Sequence, residues 1–336
     1  PRSSNSLQMN DNCKPIVITC GDPAGVGPEV AVSAWKALRD EIPMCIIIDP
    51  SFVPKNINIK TLDHPPRSSE IKTNCLTVIR HKFFEHRVPG EPNPKNAEAT
   101  IKAIQYGVQF VKNGECSAIC TMPISKSTLK NGANFSFPGH TEYLAQLDGR
   151  DTYGMMLINK YLRVVPATIH IPVKDITKYL NAELIEKTIK TTHRELTNRF
   201  SISNPSIWIS GLNPHAGEDG TIGDEEQKFI IPVIEELRAK GYNLKGPISA
   251  DTMFYGKKRR KFDAVICMYH DQALIPIKTL DFHTSVNLTI GLSFIRTSPD
   301  HGTAFDIAGK NLANPTSTIE AIKLAWNLSK KEQKDQ

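Results

Sequence analysis

Three apolar runs in this chain end on a histidine. Residues 262–271 (FDAVICMYHD) stop at His270 and Asp271, residues 164–170 (VVPATIH) at His170, and residues 206–215 (SIWISGLNPH) at His215. A short apolar run closed by polar residues reads as a buried strand, so each histidine stands where a strand hands over to a loop. In an open α/β sheet ligands bind beyond the carboxyl ends of the strands, where three imidazoles can converge on one point. Imidazole is also the commonest protein ligand for a divalent transition metal. One such histidine alone is more readily a hydrogen-bonding residue of its turn, but the placement recurs in three of the ten histidines, which brings the metal reading level with that one. His81, His86 and His193 lie in polar or helical surroundings and lack this placement.

Other residues offer complementary chemistry. Residues 137–144 (FPGHTEYL) read as a turn opening a helix, with Thr141 near the N-cap. A helix start presents free N–H groups and a positive dipole, and His140 and Thr141 add donors for an anion such as phosphate. Asp251, between a helix and the run ending at His270, is a candidate acid, base or outer-shell partner, or else a cap for its own turn. Residues 213–226 form a long polar, glycine-bearing loop of the kind that carries active-site residues. Lys126 follows another strand end and points either into a cleft or to solvent. The amino-terminal GDPAGVGPE (residues 21–29) links a strand to a helix, but its glycine spacing differs from GxGxxG and two prolines interrupt it. It therefore reads as a tight turn and not as a dinucleotide fingerprint.

The elements that must hold these residues alternate. Apolar strands are expected near residues 15–20, 44–48, 76–79, 116–121, 154–158, 162–170 and 285–296, in addition to those ending at His215 and His270. Helical patterns separate several of them, at residues 96–112, at 173–200 with a break near Asn181, and after the 213–226 loop. This is the alternation of an α/β protein with a parallel sheet. Ser317 and Glu320 read as a capping box opening the last helix. At 336 residues, 40% hydrophobic and 23% charged, the chain has the composition of a soluble globular protein of one large or two ordinary domains. Its net charge of +6 is scattered, and the basic run at residues 257–261 reads as a solvated loop, so no nucleic-acid partner is expected. Seven cysteines, mostly inside apolar runs, fit a reducing compartment. No membrane span or export signal is present, and the expected location is cytoplasmic. Residues 1–13 are expected to be disordered or added by cloning.

Five motifs together resemble the PdxA family of pyridoxal phosphate biosynthesis, the 4-hydroxythreonine-4-phosphate dehydrogenases. They are GDPAGVGPE (21–29), PGHTE (138–142), NPHAGE (213–218), YHDQ (269–272) and RTSPDHGTA (296–304), and the likeness runs from Lys14 to about Leu328. Beside the matching Lys126 the family usually has asparagine where this chain has Ser125. The loop HGTAFDIAGK (301–310), with Asn314 and Pro315, is also similar to the adenine-side loop of isocitrate and isopropylmalate dehydrogenases, which hold NAD(P) without a Rossmann fingerprint.

The resemblance implies an α/β fold of two α/β/α domains around a central cleft, isocitrate dehydrogenase-like and not a Rossmann fold. Residues 14–127 and 293–332 are then the cofactor-side domain and residues 128–292 the metal, substrate and dimerisation domain. Carried over residue by residue, it assigns His170, His215 and His270 to a divalent metal (zinc, cobalt or magnesium), and His140, Thr141, Lys278, Asn287 and Arg296 to substrate. His301, Gly302, Ala304, Asp306 and Asn314 are assigned to NAD or NADP, and Lys278 and Asp251 are the candidate catalytic residues. It further implies a homodimer whose metal ligands come from both subunits, acting on a small phosphorylated amino acid, 4-phosphohydroxy-L-threonine. The alternative is another phosphorylated or acidic secondary alcohol such as phosphoerythronate. A metal-dependent hydrolase would leave the 301–310 loop without a purpose, and a non-catalytic nucleotide-binding regulator would not need all eight metal and substrate positions intact.

Overall fold

A computed structural model describes residues 13–334, so the expectation for the amino terminus, Cys13 apart, lies outside the described residues. In chain order the main elements are β1 (Ile16–Thr19), α1 (Gly27–Leu38), β2 (Met44–Ile48), β3 (Ile59–Leu62), β4 (Leu76–Arg80), α2 (Ala97–Lys112), β5 (Ala118–Thr121), α3 (Lys126–Ala133) and α4 (His140–Asp148). There follow β6 (Gly154–Ile158), β7 (Arg163–Pro166), α5 (Ile176–Tyr179), α6 (Ala182–Asn198), β8 (Ile207–Ser210), α7 (Ile231–Ala239) and β9 (Leu244–Ile248). The chain ends with β10 (Ala264–Cys267), α8 (His270–Leu280), β11 (Val286–Ile290), β12 (Arg296–Pro299) and α9 (Thr316–Lys334). Strands β1, β2, β5, β8 and β10 are buried at every position, as expected of parallel strands covered on both faces. No helix among the described residues is long and apolar enough to cross a membrane.

The first of two compact units takes the chain up to Gly149 and again from Leu292. Its strands lie in the order β3-β4-β2-β1-β5-β12, all parallel. The steps β1 to β2 and β4 to β5 run in opposite directions across this sheet, so right-handed crossovers put α1 and α2 on opposite faces. Helix α9 packs with α1, while α3 and α4 pack with α2. Val17, Cys45, Ile47 and Ile119 share a core with Ala103, Ile104 and Val108 of α2. Their buried neighbours Ile16, Ile18 and Ile46 turn to the other face because strand side chains alternate.

The division falls at Gly149 and not at residue 127, because α3 and α4 stay with the first unit. A side chain on Gly132 of α3 would come within 1.9 Å of the Pro94 carbonyl oxygen, so this helix lies directly on the backbone leading into α2. His140 and Thr141 thus belong to the first unit. The last helix also differs from expectation. It begins at Thr316, whose N–H and hydroxyl donate to Asn314 Oδ1, and the Ser317 hydroxyl accepts instead from the Asp300 N–H.

The second unit, Arg150–Gly291, has the strand order β11-β6-β7-β10-β8-β9. Strand β6 is antiparallel to both its neighbours, and β7, β10, β8 and β9 are parallel. The run ending at His270 is β10, flanked by the other two histidine-bearing runs, with Val265 opposite Val164 on one side and Trp208 on the other. Helix α8 packs on β6, β7 and β10, and α6 on β10 and β11. The break expected near Asn181 is the cap of α6, where Asn181 Oδ1 accepts from the Leu184 N–H at 2.9 Å.

Inside this unit Arg199 Nη1 meets Glu195 Oε1 at 2.7 Å, with the side chains only 6% and 5% exposed. Removing one partner strands the other charge, so Arg199→Ala should cost about 3–5 kcal/mol. The double change Glu195→Leu with Arg199→Met should cost markedly less, and denaturant midpoints read both.

Candidate active site

The parallel strands bring four carboxyl ends to one edge of the second unit. In lateral order β7, β10, β8, β9 they lead into His170, His270, His215 and Asp251. Adjacent strands run about 4.8 Å apart, and the His170 and His270 ring centroids are 5.8 Å apart. His270 opens α8, and its Nδ1 lies 2.7 Å from Asp271 Oδ1. With the Nδ1 proton given to that carboxylate, Nε2 keeps a lone pair for a ligand, the arrangement that orients metal-binding histidines. This pair fits a divalent ion. Among the described residues no three His, Cys, Asp or Glu side chains are grouped to hold a metal ion. His215 stands exposed on the turn after β8.

Asp251 is exposed and accepts from the Ser249 hydroxyl of its own turn, which packs against the turn carrying His215. Lys278 lies two turns along α8 from His270, its Nζ 5.4 Å from the Phe282 ring centroid. Asn287 on β11 holds a buried Oδ1 that receives no hydrogen bond.

Two residues outside the predicted set fix the spacing of these strand ends. Gln272 Oε1 accepts from the Ser210 hydroxyl at 2.7 Å and the Met268 N–H at 2.8 Å, while its Nε2 donates to the Gly211 carbonyl at 2.8 Å. One amide thus ties the end of β10 to the end of β8. Thr168 does the same between β7 and β10, its hydroxyl donating to the Met268 carbonyl at 2.7 Å. Gln272 sits inside the YHDQ motif, two residues from His270, but only the strand order reveals what it joins.

The first unit supplies a positive, donor-rich corner. The N-cap of α4 is Gly139, so Thr141 lies near the cap as expected, and His140 and Thr141 occupy the first helical turn. A side chain on Gly139 would lie 3.8 Å from Lys126 Nζ, which brings this lysine, absent from the assigned set, to the same helix start. Ser125 caps α3 by accepting from the Thr128 N–H at 3.2 Å, so it holds Lys126 in place. Arg296, 2% exposed, donates from Nε and Nη2 to Thr121 Oγ1 at 3.1 and 2.7 Å. Burial pulls its guanidinium down to about 10. Burial, with the Arg296 charge adding to it, holds His140 well below the ordinary imidazole range, and its buried Nε2 has no hydrogen-bond partner.

The loop after β12 rests on the amino-terminal glycine turn. The Val26 N–H at the start of α1 donates to the Thr303 carbonyl at 2.9 Å, and Glu29 accepts from the Gly309 N–H and from Arg87 Nη2. The helix start that a dinucleotide fingerprint would offer to a pyrophosphate is therefore already occupied by protein backbone. A side chain on Gly25 would meet the Thr303 oxygen at 2.8 Å, whereas one on Gly302 would meet nothing within 4 Å. His301 Nε2 is buried without a partner, Ala304 has a positive φ of 45°, and Gly302, Asp306 and Asn314 are exposed. A loop with an open glycine and an orphaned imidazole nitrogen fits a cofactor edge.

The lowered His140 value carries a pH dependence. As pH falls below the ordinary imidazole value of 6.5, the unfolded chain takes up a proton that folded His140 refuses. Stability is therefore full above that pH and declines below it. His81 and His193, also lowered by burial, act in the same direction. Thermal melts of His140→Gln between neutral and mildly acidic pH should show a shallower decline than the unaltered protein.

Comparison with known proteins gives one consistent result. The model of the pyridoxal phosphate biosynthetic protein PdxA family matches residues 28–325. A 4-hydroxythreonine-4-phosphate dehydrogenase of Roseobacter denitrificans is 51% identical over 322 residues, 96% of this chain and 99% of the relative. One from a Ruegeria species is 48% identical over 95% of this chain and 98% of the relative. The crystal structure of the 4-hydroxythreonine-4-phosphate dehydrogenase from Klebsiella pneumoniae matches with a TM-score of 0.85 at 35% identity, covering 94% of this chain and 99% of that one. A dehydrogenase family implies a nicotinamide cofactor. Family model, relatives and fold agree, and the chain belongs to the PdxA family of pyridoxal phosphate biosynthesis.

Proposed function

We propose that the protein oxidises 4-phosphohydroxy-L-threonine with NAD(P)+ to 2-amino-3-oxo-4-(phosphooxy)butanoate, which loses carbon dioxide to give 3-amino-2-oxopropyl phosphate. Of the buried side-chain atoms without partners among the described residues, three fall on assigned positions while others, such as those of Ser68 and Thr192, lie elsewhere; the three carry this reading. His140 Nε2, Asn287 Oδ1 and His301 Nε2 are buried without partners, and they lie on the positions assigned to substrate and cofactor. Each such atom costs about 1–3 kcal/mol until a ligand satisfies it.

In this reading Arg296 and Lys126 supply the charge, and Thr141 and His140 the donors, that a phosphate or carboxylate requires. Burial keeps His140 neutral near pH 7, so it binds by a directed hydrogen bond and leaves the charge to Arg296. Lys278 is the residue assigned to hold or move the alcohol proton, in preference to Asp251, whose carboxylate is engaged by Ser249. A divalent ion (zinc, cobalt or magnesium) at His170 and His270 would supply Lewis acidity, acidifying the alcohol and polarising the new carbonyl. The nicotinamide would accept the hydride. The rings of His170 and His270 come together within one chain, and the third ligand, His215, is assigned to a second copy in a homodimer.

Mixing inactive variants tests this assignment. With His170→Ala and His215→Ala subunits, one site of each heterodimer carries both lesions and the other carries none, so about half the wild-type activity per heterodimer should return. His170→Ala mixed with His270→Ala should stay inactive, because each site keeps a lesion. Reduced-nicotinamide absorbance reads both mixtures and mass spectrometry confirms the heterodimers; recovery in the second mixture alone would reverse the assignment. Preferential turnover of phosphoerythronate in the same assay would overturn the substrate.

The cofactor assignment has its own test. Gly302→Val should raise KM for NAD(P) without changing the melting temperature, since the added atoms point into open space. Gly25→Val should lower the melting temperature as well, because its side chain must displace Thr303.

A further inference from the structure

The turn that carries His215 has an uncommon backbone. His215, Ala216, Gly217, Glu218 and Asp219 have φ values of 53°, 54°, 80°, 42° and 55°, five left-handed residues in succession of which four are not glycine. An L side chain is disfavoured there because its Cβ crowds the following carbonyl oxygen, so the turn persists only where its surroundings over-determine it. What fixes it is Glu226, 1% exposed at the start of the next helical segment. Its Oε1 accepts from the Leu212 and Asn213 N–H groups, both at 2.7 Å, and its Oε2 accepts from Asn213 Nδ2 at 2.9 Å. The chain closes around this carboxylate with no room to spare. Added side chains would meet Ala216 Cα at 2.7 Å from Gly211 and Glu226 Oε2 at 2.7 Å from Gly217.

We propose that Glu226 is the positioning residue of His215: its buried carboxylate holds the left-handed turn and so sets the direction in which the imidazole is offered to a metal ion. This rests on the reading of His215 as a metal ligand. Glutamine at position 226 keeps one oxygen for the two backbone N–H groups but turns an NH2 toward the Asn213 amide, donor against donor. Glu226→Gln therefore breaks one link of the latch and preserves the rest.

The test is calorimetric titration of chelator-treated, full-length protein with cobalt(II), using wild type, Glu226→Gln, His215→Ala and the double variant. Glu226→Gln should weaken binding about 10–100-fold, as loss of a group orienting a ligand does, and should shift the visible cobalt spectrum. The double variant should bind no more weakly than His215→Ala alone, because the two changes act through one ligand. If Glu226→Gln lowers the melting temperature but binds cobalt as tightly as wild type while His215→Ala binds weakly, Glu226 is merely structural and the proposal is overturned. If His215→Ala itself binds as wild type does, the ligand assignment is wrong and the proposal falls with it. Should Glu226→Gln fail to fold, Asn213→Ala, which keeps the buried carboxylate and removes one donor, must weaken cobalt binding; unchanged affinity there overturns the proposal.

Discussion

A strand covered on both faces has nowhere to put a polar side chain except at its ends, and the chemistry of this chain follows from that constraint. Burying an unpaired polar group costs too much, so β1, β2, β5, β8 and β10 are buried throughout and the functional groups gather where strands stop. In the second unit this places His170, His270, His215 and Asp251 along one edge. In the first unit Lys126 follows β5, and Arg296, although it enters β12 as its first residue, extends to Thr121 at the carboxyl end of β5.

Strand ends alone do not fix side chains to the tolerance that catalysis needs, and the chain meets this with buried and half-buried polar groups that tie strand ends and turns together. Thr168 links β7 to β10, Gln272 links β10 to β8, and Glu226 closes the turn beyond β8. A second kind of support joins the chain ends, where the 301–310 loop lies on the 21–29 turn through Val26, Glu29 and Arg87. The glycine turn thus acts on a cofactor only through the loop it carries. The same burial removes five thiols, those of Cys20, Cys45, Cys116, Cys120 and Cys267, from consideration as nucleophiles. All seven cysteines are free, and burial pushes Cys20 and Cys120 up to about 12.

The sequence by itself determined the α/β class, the histidines at strand ends, the glycine turn that is not a dinucleotide fingerprint, and, through five motifs, the family. These are legible because burial on two faces writes a continuous apolar run, and because such runs and turn residues are local. The tertiary structure alone decided that β10 lies between β7 and β8, that α3 and α4 belong with the first unit, and that Gly139 caps α4. It also decided that Ser317 serves Asp300 and that the rings of His170 and His270 meet within one chain. Gln272 and Glu226 were invisible for the same physical reason. Their partners depend on which strands become neighbours, and crossover connections set that over tens of residues, beyond any local pattern.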